Sequence, residues 1–216
     1  MTASSLFLIY GEDQNDRAAL RHLVNAILPP GTSATVRLIH KPIILSRNAE
    51  RSGKRKRMAE EIASFARSFQ KHCAKVIVIA HQDCDAVEPA HKDNAEALEA
   101  DLTKAGVENP IAATPAWEME TWWMLFPEAV AEARQCWRKI DYGQSNVGMI
   151  ENSKERLIRD LRPQGKERGK CPDYCEADSV KIAKIIENKP ELIKSIKARS
   201  ESFGDFRNKI SGSAAS

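Results

Sequence analysis

The stretch VIVIAHQDCDAVE, residues 76–88, decides the fold of this chain. It opens with consecutive apolar and mostly β-branched residues, which indicates a strand that is buried on both faces. The strand then ends at two carboxylates, Asp83 and Asp85, which are one residue apart. Functional groups collect beyond the carboxyl ends of strands in open parallel sheets. The stretch therefore predicts an α/β protein with a polar site at the end of this strand.

Strands and helices are predicted to alternate on either side of this stretch. The strands are predicted at residues 5–10, 35–40, 75–80 and 110–114. The helices are predicted at residues 16–29, 58–70, 90–105, 118–126 and 127–139. This order predicts an α/β fold with a mostly parallel sheet flanked by helices.

The pattern changes after about residue 140, where we predict no further strand. Helical segments are expected at residues 153–161, 177–187 and 190–198. We therefore predict an α/β domain at residues 1–140 and a helical C-terminal extension, packed on it, at residues 141–210. The last residues, 211–216, read SGSAAS and are expected to be a disordered tail.

The composition bounds the possible classes of protein. With 216 residues, 42% of them hydrophobic, the chain can bury a large core, and its net charge of +3 does not by itself indicate nucleic-acid binding. Because it has no basic leader and no long apolar run, we expect a cytoplasmic protein without a membrane span and with reduced cysteines. A zinc site at Cys171 and Cys175 is less favoured than free thiols, since no histidine follows His91.

Acidic pairs follow three of the predicted strands. They are Glu12 and Asp13, with Asp16 beyond them, then Asp83 and Asp85, and then Glu118 and Glu120. In a doubly wound sheet these groups can converge on one edge, where their mutual repulsion calls for a cation. Several carboxylate oxygens close together are suitable ligands for Mg²⁺ or Mn²⁺. The alternative is that each pair caps a helix or is solvated surface.

Two further features suggest binding surfaces. The densest basic run, Lys54, Arg55, Lys56 and Arg57, can neutralise phosphates of a nucleic acid, although a solvated loop or a contact with an acidic partner subunit explains it too. Arg47 and Arg51 precede the run, and a second basic stretch comprises Arg159, Arg162, Lys166, Arg168 and Lys170. Of the adjacent residues Trp122 and Trp123, we expect one to point away from the core, where it can stack on a base or anchor an interface.

Glu12 after the first strand, an Asp-x-Asp element at Asp83 and Asp85, and WEMETWW at residues 117–123 together resemble the Toprim fold. That fold, a Rossmann-like α/β frame, occurs in topoisomerases, primases and nucleases of the OLD family. The WEMETWW element resembles one found in small stand-alone Toprim-like proteins of a domain-of-unknown-function family. Genes of that type often lie beside one for an ABC-type ATPase, in arrangements linked to phage defence.

The resemblance implies a Mg²⁺- or Mn²⁺-dependent nuclease. It implies that Asp83 and Asp85 hold one metal, that Glu12 is a second ligand or a general base, and that Glu118 and Glu120 complete a second metal position. Lys154 would stabilise developing charge. The implied substrate is DNA or RNA, the implied partner is an ABC-type ATPase, and a homo-oligomer is possible.

Other functions remain open at this point. The chain resembles, more distantly, a bacterial receiver domain in which Asp83 or Asp85 would accept a phosphoryl group. It also fits a non-catalytic Toprim-like subunit of an ATPase. The sequence contains neither Gly-x-Ser-x-Gly nor a Walker A motif, so we expect neither a serine-nucleophile hydrolase nor ATP hydrolysis by this chain itself.

Overall fold

The computed structural model describes residues 4–39, 53–163 and 169–215. A four-stranded, all-parallel sheet runs through the protein in the order β2-β1-β3-β4. Its strands are β1 (Ser5–Tyr10), β2 (Ala34–Leu38), β3 (Lys75–His81) and β4 (Pro110–Ala113). The predicted α/β fold with a parallel sheet flanked by helices is confirmed.

Helices cover both faces of the sheet. They are α1 (Gln14–Ile27), α2 (Lys54–Phe69), α3 (His91–Lys104), α4 (Glu120–Trp123), α5 (Pro127–Ala133), α6 (Ser153–Leu161), α7 (Glu176–Asn188), α8 (Glu191–Lys194) and α9 (Glu201–Ala215). Alternate residues of each strand pack against opposite layers, as the two-residue period of a strand requires. Leu8 and Val78 pack with α2 and α3, whereas Ile9 and Ile79 pack with α1 and the C-terminal helices.

The order of the strands places a crevice at the carboxyl end of the sheet. From β1 the chain passes through α1 on one face to β2, and then through α2 on the other face to β3. Helix α3, which follows β3, packs on the same face as α2. The connections that leave the neighbouring strands β1 and β3 therefore lie on opposite faces of the sheet. This is the topological switch point at which open α/β sheets bind ligands.

The C-terminal helices belong to the same core as the sheet. Helix α7 packs along α1, and α9 contacts both β4 and α1. Trp122 stacks on Phe206 of α9 with ring centroids 5.0 Å apart, and the indole N–H of Trp123 donates to Ser179 of α7. The expectation that one of the two tryptophans is exposed is wrong, because the short helix α4 is enclosed between the sheet and the C-terminal helices.

Several predicted boundaries differ from the structure. The α-helices predicted at residues 118–126, 127–139 and 190–198 are shortened to α4, α5 and α8. The tail that we expected to be disordered continues α9 as far as Ala215, while residue 216 lies outside the described residues. The hydroxyl of Ser213 donates to the carbonyl of Lys209 at 2.6 Å, and the carbonyl of Ser213 accepts from Lys75 at 3.4 Å. These contacts tie the end of α9 to the start of β3.

Two cysteines are paired, contrary to the prediction of reduced thiols. Cys136, after α5, and Cys171, before α7, form a disulfide with their Cα atoms 5.8 Å apart. Cys171 therefore does not join Cys175 in a zinc site. Spacing along the chain could not show that the segments after α5 and before α7 meet.

None of the helices in the described part of the chain combines the length and the apolar character that crossing a bilayer requires.

Candidate metal site at the carboxyl edge of the sheet

The acidic residues after β1 have different roles. Asp13 is the N-cap of α1, and its carboxylate accepts from the backbone N–H of Asn15 at 2.6 Å. Glu12 is exposed beside it, and Asp16 lies in the first turn of α1 with its side chain only 16% exposed. The cap turns Asp16 toward the end of β3, so this part of the edge presents both Glu12 and Asp16 to the crevice.

His81, the last residue of β3, lies at the bottom of the crevice. Its side chain is buried, with Nε2 at 3.3 Å from Asp83 Oδ1 and Nδ1 at 4.0 Å from Asp16 Oδ2. One ligand atom from each of Asp16, His81 and Asp83 lies within 4.8 Å of the others. Gly11 permits this approach, since a Cβ at that position would lie only 3.1 Å from the Cβ of His81.

The polar atoms of this group lack hydrogen bonds. Within the described residues, neither ring nitrogen of His81 nor the buried Oδ1 of Asp83 has a hydrogen-bond partner. The 3.3 Å contact between the two residues is thus an ion pair without hydrogen-bond geometry. Buried polar atoms are nearly always paired, because leaving them unpaired costs about 1–3 kcal/mol each. The three side chains therefore fit a group that binds between them.

The charges around the crevice change the pKa values of its residues. Burial lowers the pKa of His81, but the carboxylates of Asp83 and Asp16 outweigh burial and raise it to about 9. Burial raises the pKa of Asp16 to about 6, and it also raises the pKa of Glu12, helped by the charges of Asp83 and Asp85. Raised carboxylate pKa values are expected where acids lie close together without a cation to neutralise them.

Asp85 lies on a strained part of the rim. Its φ of 52° is in the left-handed region, as is the φ of 61° at Trp117 on the neighbouring loop. The two loops are linked by hydrogen bonds from Asp85 N to Trp117 O at 3.0 Å and from Trp117 N to Ala86 O at 2.8 Å. Backbone strain of this kind persists where surrounding contacts over-determine it, and such residues cluster at functional sites.

The acids after β4 extend the site toward α6 and α7. Glu118 accepts from the backbone N–H of Lys154 at 3.3 Å, and the Lys154 ammonium binds Glu176 at the start of α7. Burial raises the pKa of Glu118, and the nearby charge of Asp83 adds to the rise. Glu118 and Lys154 therefore belong to the same crevice as Asp83.

Glu120 is placed differently from Glu118. It is buried, and burial raises its pKa to about 7. Glu120 therefore lies beneath the crevice rather than on its open surface.

Of the acids that the sequence analysis singled out, Glu12 feels the charges of Asp83 and Asp85, and Glu118 feels that of Asp83, whereas Glu120 is buried and feels that of Glu118. Two ligand candidates were given no ligand role from the sequence: Asp16, which was named only as an acid beyond Glu12 and Asp13, and His81. A signal was present for each of them. Asp16 is four residues after Glu12, one helical turn into α1, and His81 precedes Asp83 by two residues at the exit of β3.

The basic run lies away from this site. Lys54, Lys56 and Arg57 are exposed, but Arg55 is only 6% exposed and pairs with Asp101 at 2.6 Å. The guanidinium of Arg55 is thus held by Asp101, and its contact with nucleic acid stays a prediction that this packing does not favour. Asp101 is ten residues into α3, or about 15 Å along a helix whose first residue lies at the carboxyl edge of the sheet. Arg47, Arg51, Lys166 and Arg168 lie outside the described residues.

Comparison with known proteins identifies no family, so any functional assignment rests on the geometry of the candidate site. No protein-family model matches the chain, and neither the curated proteins nor the solved structures yielded a significant match.

Proposed function

We propose that this protein is a divalent-metal-dependent nuclease, which hydrolyses phosphodiester bonds of DNA or RNA in the manner of Toprim enzymes. The observation that carries the proposal is the group of Asp16, His81 and Asp83 at the ends of β1 and β3, whose ligand atoms lie within 4.8 Å of one another. The carboxylates of Asp16 and Asp83 face the buried ring of His81, and within the described residues neither ring nitrogen nor Asp83 Oδ1 has a hydrogen bond.

Asp16, His81 and Asp83 would hold a cation at the bottom of the crevice. A bound divalent cation supplies a Lewis acid for the phosphoryl group and lowers the pKa of bound water. Glu12 is exposed at the rim with a raised pKa, which suits a carboxylate that accepts a proton from an attacking water. In this proposal Lys154 exchanges its partner Glu176 for a phosphate oxygen of the substrate and stabilises the negative charge that develops there.

The implied partner belongs to the same proposal. Because the chain lacks a Walker A motif, any use of ATP would be by a separate subunit such as an ABC-type ATPase. In that arrangement the present chain is the nuclease effector of an anti-phage system. The alternative, a Toprim-like subunit without catalysis, keeps the fold and the acids but predicts no cleavage.

One observation favours a second candidate, a receiver-like phosphoacceptor. The strand order β2-β1-β3-β4 is also that of flavodoxin-like folds, and acids follow β1 and β3 here. Against it, His81 occupies the end of β3 and contacts Asp83, and β4 is the last strand in the described residues. Incubation with acetyl phosphate distinguishes the two, since only a phosphoacceptor forms an acyl phosphate on Asp83 or Asp85.

A cleavage assay on plasmid, single-stranded DNA and tRNA tests the proposal. We expect the wild type with Mn²⁺ or Mg²⁺ to cut at least one of these substrates, and Asp83→Asn to lose at least about 100-fold in rate, since it removes a ligand rather than an outer-shell partner. Asp205→Asn is the matched control, because Asp205 also contacts a buried histidine, His91, at 3.2 Å. Metal binding by the wild type without cleavage of any substrate would instead support the partner-subunit function.

A further inference from the structure

We propose that His81 is a direct metal ligand and that the site therefore prefers Mn²⁺ to Mg²⁺. The inference rests on the metal site of the proposed function but not on nuclease activity. It differs from the all-carboxylate site that the resemblance implies, because the nitrogen ligand comes from β3 itself.

The spacing of the ligand atoms fits one ion. His81 Nε2 lies 3.3 Å from Asp83 Oδ1, and His81 Nδ1 lies 4.0 Å from Asp16 Oδ2. Around an octahedral ion with bonds of about 2.1 Å, ligand atoms lie about 3.0 Å apart when adjacent and about 4.2 Å apart when opposite. One ring nitrogen can therefore join a carboxylate on the same ion with little movement, while the other nitrogen remains beside the second carboxylate. Carboxylate contacts of that kind orient metal-bound histidines.

His81 is in contact with two carboxylates, Asp83 at Nε2 and Asp16 at Nδ1. The side chain is 3% exposed, and both ring nitrogens are buried without a hydrogen bond. The carboxylate of Asp83 is 37% exposed, so the group opens to solvent on one side. A cation can thus enter past Asp83 and reach the nitrogen from the open side.

The chemistry of the ligands decides which cation is favoured. Mg²⁺ takes oxygen ligands almost exclusively and keeps several waters, whereas imidazole suits later first-row ions. Mn²⁺ accepts carboxylates as readily as Mg²⁺ does, and it tolerates an imidazole. A site with at least one carboxylate and one buried imidazole therefore favours Mn²⁺ over Mg²⁺.

The alternative role for His81 is that of a permanent counter-charge. A protonated imidazole between two carboxylates would neutralise them in place of a metal. The two roles predict opposite effects of removing the ring. Loss of a ligand weakens Mn²⁺ binding, whereas loss of a positive charge strengthens the binding of Mn²⁺ and Mg²⁺ alike.

Calorimetric titration with MnCl₂ and with MgCl₂ separates these roles in wild type, His81→Gln and His22→Gln. His22 is the matched control, since it is a buried histidine in contact with a carboxylate, Glu187, at 2.5 Å, but on the α1–α7 interface. We expect His81→Gln to lose at least about 10–100-fold in Mn²⁺ affinity, with Mg²⁺ affinity changed much less. We expect His22→Gln to bind both ions like the wild type.

Pulsed electron paramagnetic resonance of the Mn²⁺-loaded protein gives a second readout. Wild type should show coupling of Mn²⁺ to an imidazole nitrogen, and His81→Gln and His81→Asn should lose it. Tighter binding of both ions by His81→Gln, or wild-type Mn²⁺ without nitrogen coupling, would overturn the inference. Nitrogen-coupled Mn²⁺ in a wild type that cuts no nucleic acid would leave it standing and refute the nuclease proposal instead.

Discussion

Raising the pH should destabilise the metal-free protein through His81. The pKa of this residue rises from 6.5 in the unfolded chain to about 9 in the folded protein. The folded state therefore holds the proton more tightly than the unfolded state does. The stabilisation is fully present below pH 6.5 and is lost as the pH rises through about 9.

The size of the effect follows from the same two pKa values. A difference of about 2.5 units corresponds to about 3 kcal/mol of unfolding free energy, at roughly 1.4 kcal/mol per unit. Asp16 and Glu120, with pKa values raised to about 6 and about 7, act in the same direction but at lower pH. The interval from pH 7.5 to 9.5 therefore reports mainly on His81.

Urea unfolding in EDTA at pH 6.5, 8 and 9.5 measures this loss. His81→Gln should remove most of the decrease above pH 7.5, and His22→Gln should retain it. Tyrosine and cysteine titration contributes to all three proteins equally and cancels in the comparison. A wild type with constant stability over this range, or His81→Gln with the same slope as wild type, would refute the reasoning about the charges around His81.

Three further predictions concern a residue beside the site and two contacts elsewhere in the fold. Gly11→Ala places a Cβ 3.1 Å from that of His81, so it should cost about 1–3 kcal/mol in urea unfolding and weaken Mn²⁺ binding in calorimetry. Unchanged Mn²⁺ affinity would show that the close approach is not needed. Reduction of the Cys136–Cys171 disulfide, which spans 35 residues, should lower the free energy of unfolding by about 3–4 kcal/mol. The Cys136→Ser variant should be as stable as the reduced wild type, and dithiothreitol should not change its stability. Glu88 is buried, yet hydrogen bonds from the start of α9 hold its pKa below the usual value. We therefore expect Glu88→Gln to lower the free energy of unfolding by about 1–3 kcal/mol at pH 7. That difference should disappear as the pH falls through the pKa of folded Glu88; a difference that persists in acid would contradict the role of its charge.

The sequence was sufficient to predict the sheet because its strands are short apolar runs with clear ends. Strand β1 lies where the apolar run SLFLIY predicts it, and β3 extends the prediction by one residue, His81. That one residue matters, because a histidine at the strand end looks like a spacer before Asp83 in the sequence but points into the crevice in three dimensions.

Other features depend on contacts that no local pattern encodes. The burial of both Trp122 and Trp123 requires the C-terminal helices to close over α4. The burial of Arg55 depends on its pairing with Asp101, which is 46 residues away along the chain. A run of basic residues looks uniform in sequence, and only the packing of α2 on α3 separates the buried arginine from its exposed neighbours.

The central claim is that Asp16, His81 and Asp83 bind a metal ion, and anomalous diffraction from crystals soaked in MnCl₂ tests it most directly. We expect an anomalous peak in the crevice between β1 and β3, within bonding distance of a nitrogen of His81 and of at least one of the two carboxylates. Soaked crystals that bind Mn²⁺ elsewhere, or that leave this crevice without a peak at saturating Mn²⁺, would contradict the account.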